Sequence, residues 1–254
     1  MVPQWARVAL TLLGTVAALF SHFVEVFLAA PPRPQDRIWK TIRDGAFGHF
    51  DFLTVNVEVI NALYWVFSLV GEVAWWLLDV ARYPFFEKVI VLSYSLASFS
   101  ASLATMLTIL FIMFVWLDPK FQDEVVAEYE KRGNTVFRYK IVATHCNQIP
   151  FALLDALIIK QTKQQLLTHT SPTLWTLLGI CLGFNLVYLA TLHLNYSKNG
   201  RVWIYPFMDE SFKTIKGEVV FVISLSLFNF GIAALYHFVA VEAEWAELMW
   251  RAHR

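Results

Sequence analysis

The stretch Phe52–Val70, FLTVNVEVINALYWVFSLV, decides the fold of this chain, because it is long and apolar enough to cross a lipid bilayer as a helix. Its apolar residues are interrupted by Thr54, Asn56, Glu58 and Asn61. An acidic side chain near the centre of a membrane helix costs on the order of 3 kcal/mol to insert, so Glu58 requires buried polar partners or a function. The stretch therefore predicts a membrane helix that packs inside a bundle.

The polar side chains of this stretch share one side of the predicted helix. At about 100° per residue, they fall within an arc of about 80°. These residues are Asp51, Thr54, Glu58 and Asn61. Such a stripe either joins helices through interhelical hydrogen bonds or contributes to a functional site, and both interpretations stay open at this point.

The composition of the whole chain also indicates an integral membrane protein. Of its 254 residues, 57% are hydrophobic and only 16% are charged, and the mean hydropathy is +0.52. The 20 basic and 20 acidic residues balance, and no dense basic block suggests nucleic-acid binding. Cys146 and Cys181 lie in apolar runs, and no His and carboxylate cluster has metal-ligand spacing, so we expect no disulfide, metal or cofactor.

Six apolar segments are long enough to cross a membrane, and polar connections separate them. We predict spans at about residues 7–30, 51–78, 89–117, 139–160, 173–196 and 219–241, within one transmembrane domain that covers residues 1–254. A cleaved signal peptide is the alternative for the first segment, but the length of the segment favours a retained helix. Several spans carry polar faces, which predicts an all-α bundle of six transmembrane helices around a polar intramembrane cavity.

The fourth span carries a second polar face. Its members occupy an arc of about 100°, although a proline within the span should kink the helix between them. The polar residues are Thr144, His145, Gln148 and Asp155, and the proline is Pro150. A histidine inside a membrane helix favours a functional interpretation, because imidazole titrates near neutral pH and is rare in lipid.

Thr54 and His145 are predicted to lie at matching depth in the bundle. The second and fourth spans enter from the same membrane face, and each residue lies about three to five positions, or roughly 5–8 Å, inside its helix end. A hydroxyl and an imidazole at one level suffice for nucleophilic catalysis, with the imidazole as general base. Spacing alone does not select this pair, because His22, His193 and His237 also lie in or near apolar runs.

Three parts of the sequence together resemble a known family. They are Phe52–Val70, His145 five residues before Pro150, and the motif WIYPF at Trp203–Phe207. In order and spacing they resemble the androgen-induced and androgen-dependent (Far-17a-like) membrane protein family across residues 39–240. The resemblance implies a six-span threonine hydrolase that cleaves fatty acid esters of hydroxy fatty acids without a cofactor, in the endoplasmic reticulum or the plasma membrane.

The same resemblance implies that Thr54 is the nucleophile and His145 the general base. Other roles stay open: Glu58 or Asp155 would orient His145, or would only be satisfied by neighbouring polar groups. Candidates to stabilise the oxyanion are the amide side chains of Asn61, Gln148, Asn185 and Asn195.

The chain also departs from the family pattern. Val57 stands where the family has Asp or Asn, Ile141 and Val142 stand where it has an Asn-His pair, and Leu117-Asp118-Pro119 replaces its Tyr-Pro element. These departures indicate a remote member, so we expect the reaction class to carry over better than the substrate.

Two other functions fit the same residues. A lipid- or sterol-binding protein would use the polar stripes to bind a headgroup, and a proton-coupled transporter would relay protons through Glu58, Asp155 and His145. The expected partners are a lipid substrate and the bilayer, with no nucleic acid and no protein partner.

Overall fold

The computed structural model of the chain consists of helices and short connections, with no β-strand among the residues that it describes. These residues are 3–27, 44, 46–47, 52–78, 82–117, 119, 126–127, 130, 137–155, 172–205 and 208–252. Several predicted features lie outside the described residues, namely the span limits at 28–30, 51 and 156–160, and Pro206 and Phe207 of the WIYPF motif.

The helices follow one another in the order that the hydropathy predicts. They are α1 (Gln4–Phe27), α2 (Leu53–Leu77), α3 (Pro84–Phe111), α4 (Phe137–Cys146), α5 (Gln148–Leu154), α6 (Leu174–Lys198), the short α7 (Met208–Ser211) and α8 (Ile215–Ala252). A π-helical turn, Ile112–Trp116, follows α3 directly. Helix α3 begins ahead of the predicted span at residue 89, because Pro84 has the fixed φ angle that suits a first helical turn.

Four helices of the described chain are long and apolar enough to cross a membrane. They are α2, α3, α6 and the part of α8 from Ile215 to Val239. Shorter apolar stretches occupy Gln4–Phe20 of α1 and Ile141–Leu154 of α4 and α5. The chain is therefore an all-α polytopic membrane protein, which confirms the predicted fold class, while the count of six spans stays a prediction.

Helix α3 forms the centre of the bundle. It packs against α2, α4, α5 and α8, while α1 packs on α2 and also contacts α4 and α5, and α6 packs mainly on α8. In the most apolar window of each helix, 72% of the residues of α3 are buried, but only 28% of those of α6. The outer faces of α6 and α8 expose apolar side chains such as Leu186, Val187 and Val220, as expected of surfaces that contact lipid.

The fourth predicted span is divided into α4 and α5. The interruption lies at Asn147, between His145 and Gln148. Pro150 explains its position, because a proline lacks an N–H and its ring conflicts with the carbonyl of the residue four positions earlier, which is Cys146. The interruption lies one turn before the proline itself, and a bend of the helix axis there stays a prediction.

The connection that follows α6 returns to the start of α2. Helix α6 is closed by Gly200, whose φ angle is +63°, and the Arg201 N–H donates to the Tyr196 carbonyl at 3.0 Å. The chain then reaches Tyr205, whose hydroxyl accepts a hydrogen bond from the Leu53 N–H at 3.1 Å. Because no side chain at residue 52 caps α2, this phenol provides a hydrogen-bond acceptor for its first amide.

Candidate active site

The structure brings Thr54 and His145 into contact. Thr54 lies in the first turn of α2 and His145 near the end of α4, and both side chains are half-buried. The Thr54 Oγ1 and His145 Nε2 atoms are 3.2 Å apart, which is within hydrogen-bonding distance. The predicted matching depth of the two residues is thus realised as a direct contact between a hydroxyl and an imidazole.

The main chain fixes the orientation of the His145 imidazole. Its Nδ1 atom lies 2.8 Å from the Ile141 carbonyl oxygen and 3.1 Å from Thr144 Oγ1. A carbonyl oxygen can only accept a hydrogen bond, so Nδ1 carries the proton and donates it to Ile141. In the neutral ring Nε2 is then an acceptor, and its lone pair faces the Thr54 hydroxyl.

Helix α3 contacts both the ring and the main chain of His145. The Phe111 ring is stacked on the imidazole, with 4.2 Å between the ring centroids and an angle of 23° between the planes. The Thr108 hydroxyl lies between two carbonyl oxygens, that of Ala104 at 3.0 Å and that of His145. The position of His145 is therefore fixed by Phe111, which stacks on one face of the ring, and by Thr108, which donates to the His145 main-chain carbonyl.

Two of the predicted amide residues form a separate polar group deeper in the bundle. Asn61 Nδ2 donates to Gln148 Oε1, and the Ser100 hydroxyl donates to Asn61 Oδ1 at 2.6 Å. Together with Tyr64 and Asp155 they line a cavity of about 10 Å³. That volume has room for one water molecule.

The two predicted carboxylates do not contact the imidazole. Glu58 and Asp155 are buried, and Asp155 accepts a hydrogen bond from the Tyr64 hydroxyl. In the described chain, the hydrogen bonds of the His145 ring go only to Thr54, Thr144 and Ile141. The geometry gives neither carboxylate a direct orienting contact.

The remaining predicted residues lie on α6. Asn185 Nδ2 donates to the Cys181 carbonyl at 2.9 Å and lies 3.3 Å from Ser226 Oγ on α8. Asn195 is fully buried, and its side-chain amide makes no hydrogen bond within the described residues. A role for Asn185 or Asn195 in an oxyanion site stays a prediction.

A buried ion pair, absent from the sequence-based expectations, lies at the far end of α2. Arg7 Nη2 is 3.4 Å from Glu72 Oε2, and Gln4 and Tyr94 donate to the same carboxylate at 3.2 and 3.4 Å. Eighteen residues separate Glu72 from Thr54, or about 27 Å along the helix axis at about 1.5 Å per residue. This cluster is therefore distinct from the Thr54–His145 site.

Sequence reasoning also missed three neighbours of the site, Thr108, Phe111 and Tyr205. For Tyr205 the WIYPF motif was a signal, but nothing in it indicated contact with the start of α2. For Thr108 and Phe111 no sequence signal existed, because each is one of many side chains on an apolar helix.

The fold and the site define a class of protein: a polytopic membrane protein with a hydroxyl–imidazole pair inside one end of its helix bundle. Residues 11–240 match the family model described as FAR-17a/AIG1-like protein. The match covers most of the chain, so the protein belongs to the FAR-17a/AIG1-like family, which confirms the resemblance. Comparison with curated proteins and with solved structures found no match.

Proposed function

We propose that the protein is an intramembrane lipid ester hydrolase in which Thr54 is the nucleophile and His145 the general base. The observation that carries this proposal is the 3.2 Å contact between Thr54 Oγ1 and His145 Nε2, with Nδ1 already bonded to a main-chain carbonyl. A base in this tautomer can accept the hydroxyl proton at the moment of attack.

The first half of the reaction transfers the acyl group to the enzyme. Thr54 Oγ1 attacks the ester carbonyl carbon, the π electron pair moves onto the carbonyl oxygen, and the Thr54 proton passes to His145 Nε2. The resulting oxyanion collapses, the bond to the leaving alkoxide breaks, and the alkoxide takes the proton from His145. The products are a free alcohol and an acyl ester on Thr54.

The second half returns the enzyme to its starting state. Water attacks the acyl carbon and gives one proton to His145 Nε2. The tetrahedral intermediate then expels Thr54 Oγ1, which recovers that proton from His145, and the fatty acid leaves. The Ile141 carbonyl stabilises the imidazolium in both halves, because its oxygen faces the Nδ1 proton throughout.

A lipid substrate is consistent with the surroundings of the site. The start of α2 lies against an apolar core that includes Leu53, Val57, Phe99 and Leu103, and the helices around it are apolar enough to cross a membrane. The acyl chains of an ester would pack among such walls while the carbonyl reaches the polar pair near the membrane face. We propose fatty acid esters of hydroxy fatty acids as substrates, and the endoplasmic reticulum or plasma membrane as the location.

A proton-coupled transporter is the second candidate, and one observation favours it. Three acidic residues besides the Thr54–His145 pair are buried in the bundle, namely Glu58, Asp155 and Glu72. Such residues inside a membrane bundle are typical of proton relays. A transporter would show uptake that depends on a proton gradient and on these acids, and it would have no activated hydroxyl.

Covalent labelling tests the hydrolase proposal directly. A long-chain fluorophosphonate is added to the wild-type protein in detergent and to the variants Thr54→Ala and His145→Ala, and the adduct is mapped by mass spectrometry. We expect an adduct on Thr54 that is lost in both variants, because the hydroxyl reacts only when the imidazole removes its proton.

The matched control is Thr15→Ala. Thr15 is also a buried helical threonine, but its hydroxyl bonds to the Thr11 and Trp65 carbonyls and not to an imidazole. Labelling of Thr54 should persist in this variant. An adduct that survives His145→Ala, or ester turnover that survives Thr54→Ala, would exclude the proposed mechanism.

A further inference from the structure

The His145 imidazole contacts no acidic side chain among the residues that the structure describes. The edge of the ring reaches the Thr54 and Thr144 hydroxyls and the Ile141 carbonyl oxygen, all of which are neutral groups. In the proposed reaction the ring becomes an imidazolium each time Nε2 takes a proton. A charge on a half-buried group is costly unless its neighbours stabilise it. The few groups that touch the ring therefore decide how readily it can act as a base.

Phe111 is the group that covers the face of this ring. The two ring centroids are 4.2 Å apart, the planes are inclined by 23°, and Phe111 is only 4% exposed. The face of a phenyl ring carries partial negative charge, and it attracts a cation that lies within about 6 Å of the ring centroid. This attraction is stronger where water is excluded. The contact therefore favours the imidazolium over the neutral imidazole.

Helix α3 holds the phenyl ring and the histidine in a fixed relation. Thr108 lies one turn before Phe111, and its hydroxyl donates to the His145 main-chain carbonyl. Side chains three positions apart lie on the same face of a helix. One face of α3 thus contacts both the main chain and the ring of His145. The phenyl face is in place before the proton arrives, as electrostatic preorganisation requires.

We propose that Phe111 stabilises the imidazolium form of His145 through a cation–π contact while Thr54 attacks the ester, an inference that rests on the hydrolase function proposed above. Phe111 acts through His145, so it is a positioning residue. It supplies the stabilisation that a buried carboxylate gives to the imidazolium of serine hydrolases, without an ionised side chain. Because the neutral ring gains less from the contact, the effect falls on the rate of attack and not on the binding of a lipid.

A purely structural role of Phe111 depends on a different property of the same side chain. Packing depends on the shape of the phenyl ring, whereas a cation–π contact depends on the negative charge at its face. Fluorine atoms on the ring edge withdraw electron density from the face and change the shape little. Replacement of Phe111 by mono-, di- and trifluorophenylalanine therefore weakens the cation–π contact in steps while the packing is kept.

The test measures the labelling of Thr54 by a long-chain fluorophosphonate in this fluorinated series. Two quantities are determined for each variant: the labelling rate at saturating probe, and the probe concentration that gives half of that rate. The matched control is Phe99→trifluorophenylalanine. Phe99 is also buried on α3, but its ring makes an edge contact with Phe184, at 6.0 Å and 74°, and not with an imidazole. Thermal unfolding of every variant is followed in parallel.

We expect the saturating rate to fall with each added fluorine, by about 5- to 30-fold in Phe111→trifluorophenylalanine. The concentration for half of the maximal rate and the unfolding temperature should not change, and the Phe99 variant should react as the wild type does. Equal rates throughout the series would refute the role of Phe111. A loss of the same size in the Phe99 variant would refute it as well.

The variants Thr54→Ala and His145→Ala separate the two possible failures. A wild-type protein without an adduct on Thr54, or an adduct that survives His145→Ala, would overturn the hydrolase function and the role of Phe111 with it. An adduct that both alanine variants lose, but whose rate of formation does not respond to fluorine at position 111, would overturn the role of Phe111 alone.

Discussion

The His145 imidazole is oriented by a main-chain oxygen and not by a carboxylate. Serine hydrolases use a buried acid to hold the imidazole tautomer and to stabilise the imidazolium. Here the Ile141 carbonyl, at 2.8 Å from Nδ1, occupies that position, and Phe111 covers one ring face. A neutral acceptor avoids a further charge inside the membrane, where an uncompensated acid costs on the order of 3 kcal/mol.

The variant Glu58→Gln tests whether the His145 imidazole works without a carboxylate partner. Because Glu58 makes no hydrogen bond to the imidazole, we expect kcat to fall by less than about tenfold, against about 10²- to 10⁴-fold for His145→Ala. Ester turnover by detergent-solubilised protein is the measurement, with Asp155→Asn as a second acid variant expected to behave alike. A loss in Glu58→Gln as large as that in His145→Ala would give Glu58 a central role.

Helix α1 is held against α2 by two contacts of different kinds. A Cβ atom at Gly14 would lie 2.5 Å from the buried Trp65 ring, so glycine permits the close approach of the two helices. One end of the same interface carries the Arg7–Glu72 ion pair, with side chains only 6% and 2% exposed. A buried pair of this kind fixes the register of two helices, because loss of one partner leaves an uncompensated charge.

The variant Arg7→Leu tests the contribution of this ion pair to α1 docking. We expect the free energy of unfolding to fall by about 3–5 kcal/mol, since Glu72 would keep a buried charge. The double variant Arg7→Leu/Glu72→Leu should recover much of that loss, because it removes both charges. Thermal or denaturant unfolding in detergent provides the measurement.

An exposed pair provides the matched control for this experiment. Arg138 lies 3.5 Å from Glu130, with side chains 47% and 39% exposed, and Arg138→Leu should change stability by less than about 1 kcal/mol. Equal stability of the wild type and Arg7→Leu would show that the buried pair does not hold α1.

The whole molecule has two chemically different ends. Thr54, His145 and Tyr205 lie together at the start of α2, whereas the ion pair with Glu72 lies near its other end. Because α2 is long enough to cross the membrane, the connection after α6 and the connection after α2 should face opposite sides.

Cysteine accessibility tests this polarity. In a background without Cys146 and Cys181, Arg201→Cys and Arg82→Cys introduce single thiols at exposed positions after α6 and after α2. In sealed vesicles, a membrane-impermeant maleimide should label one of them from outside and the other only after the vesicles are opened. Labelling of both from the same side would contradict the orientation of α2 relative to α6.

The sequence predicted those features that depend on local pattern. Hydropathy gave the long helices, the polar stripe singled out Thr54, and depth along two helices paired it with His145, although the pairing also drew on the family resemblance. The position of the helix break also follows from local chemistry, because a proline acts on the residue four positions earlier.

The features that escaped prediction depend on contacts between distant parts of the chain. The Tyr205 hydroxyl meets an amide 152 positions away in sequence, and the stacking of Phe111 on His145 depends on how α3 and α4 are rotated against each other. Neither periodicity nor composition specifies such rotations, because many rotations bury an apolar face equally well.

The Ile141 carbonyl has a genetic consequence under the proposed mechanism. Every amino acid carries a main-chain carbonyl, so no single substitution at position 141 can delete this partner of the catalytic base. A point mutation can replace Thr54 or His145. No point mutation removes the main-chain carbonyl at position 141, because every peptide bond contains one. Under the proposed mechanism, a change of the side chain at position 141 therefore leaves the acceptor for His145 Nδ1 in place.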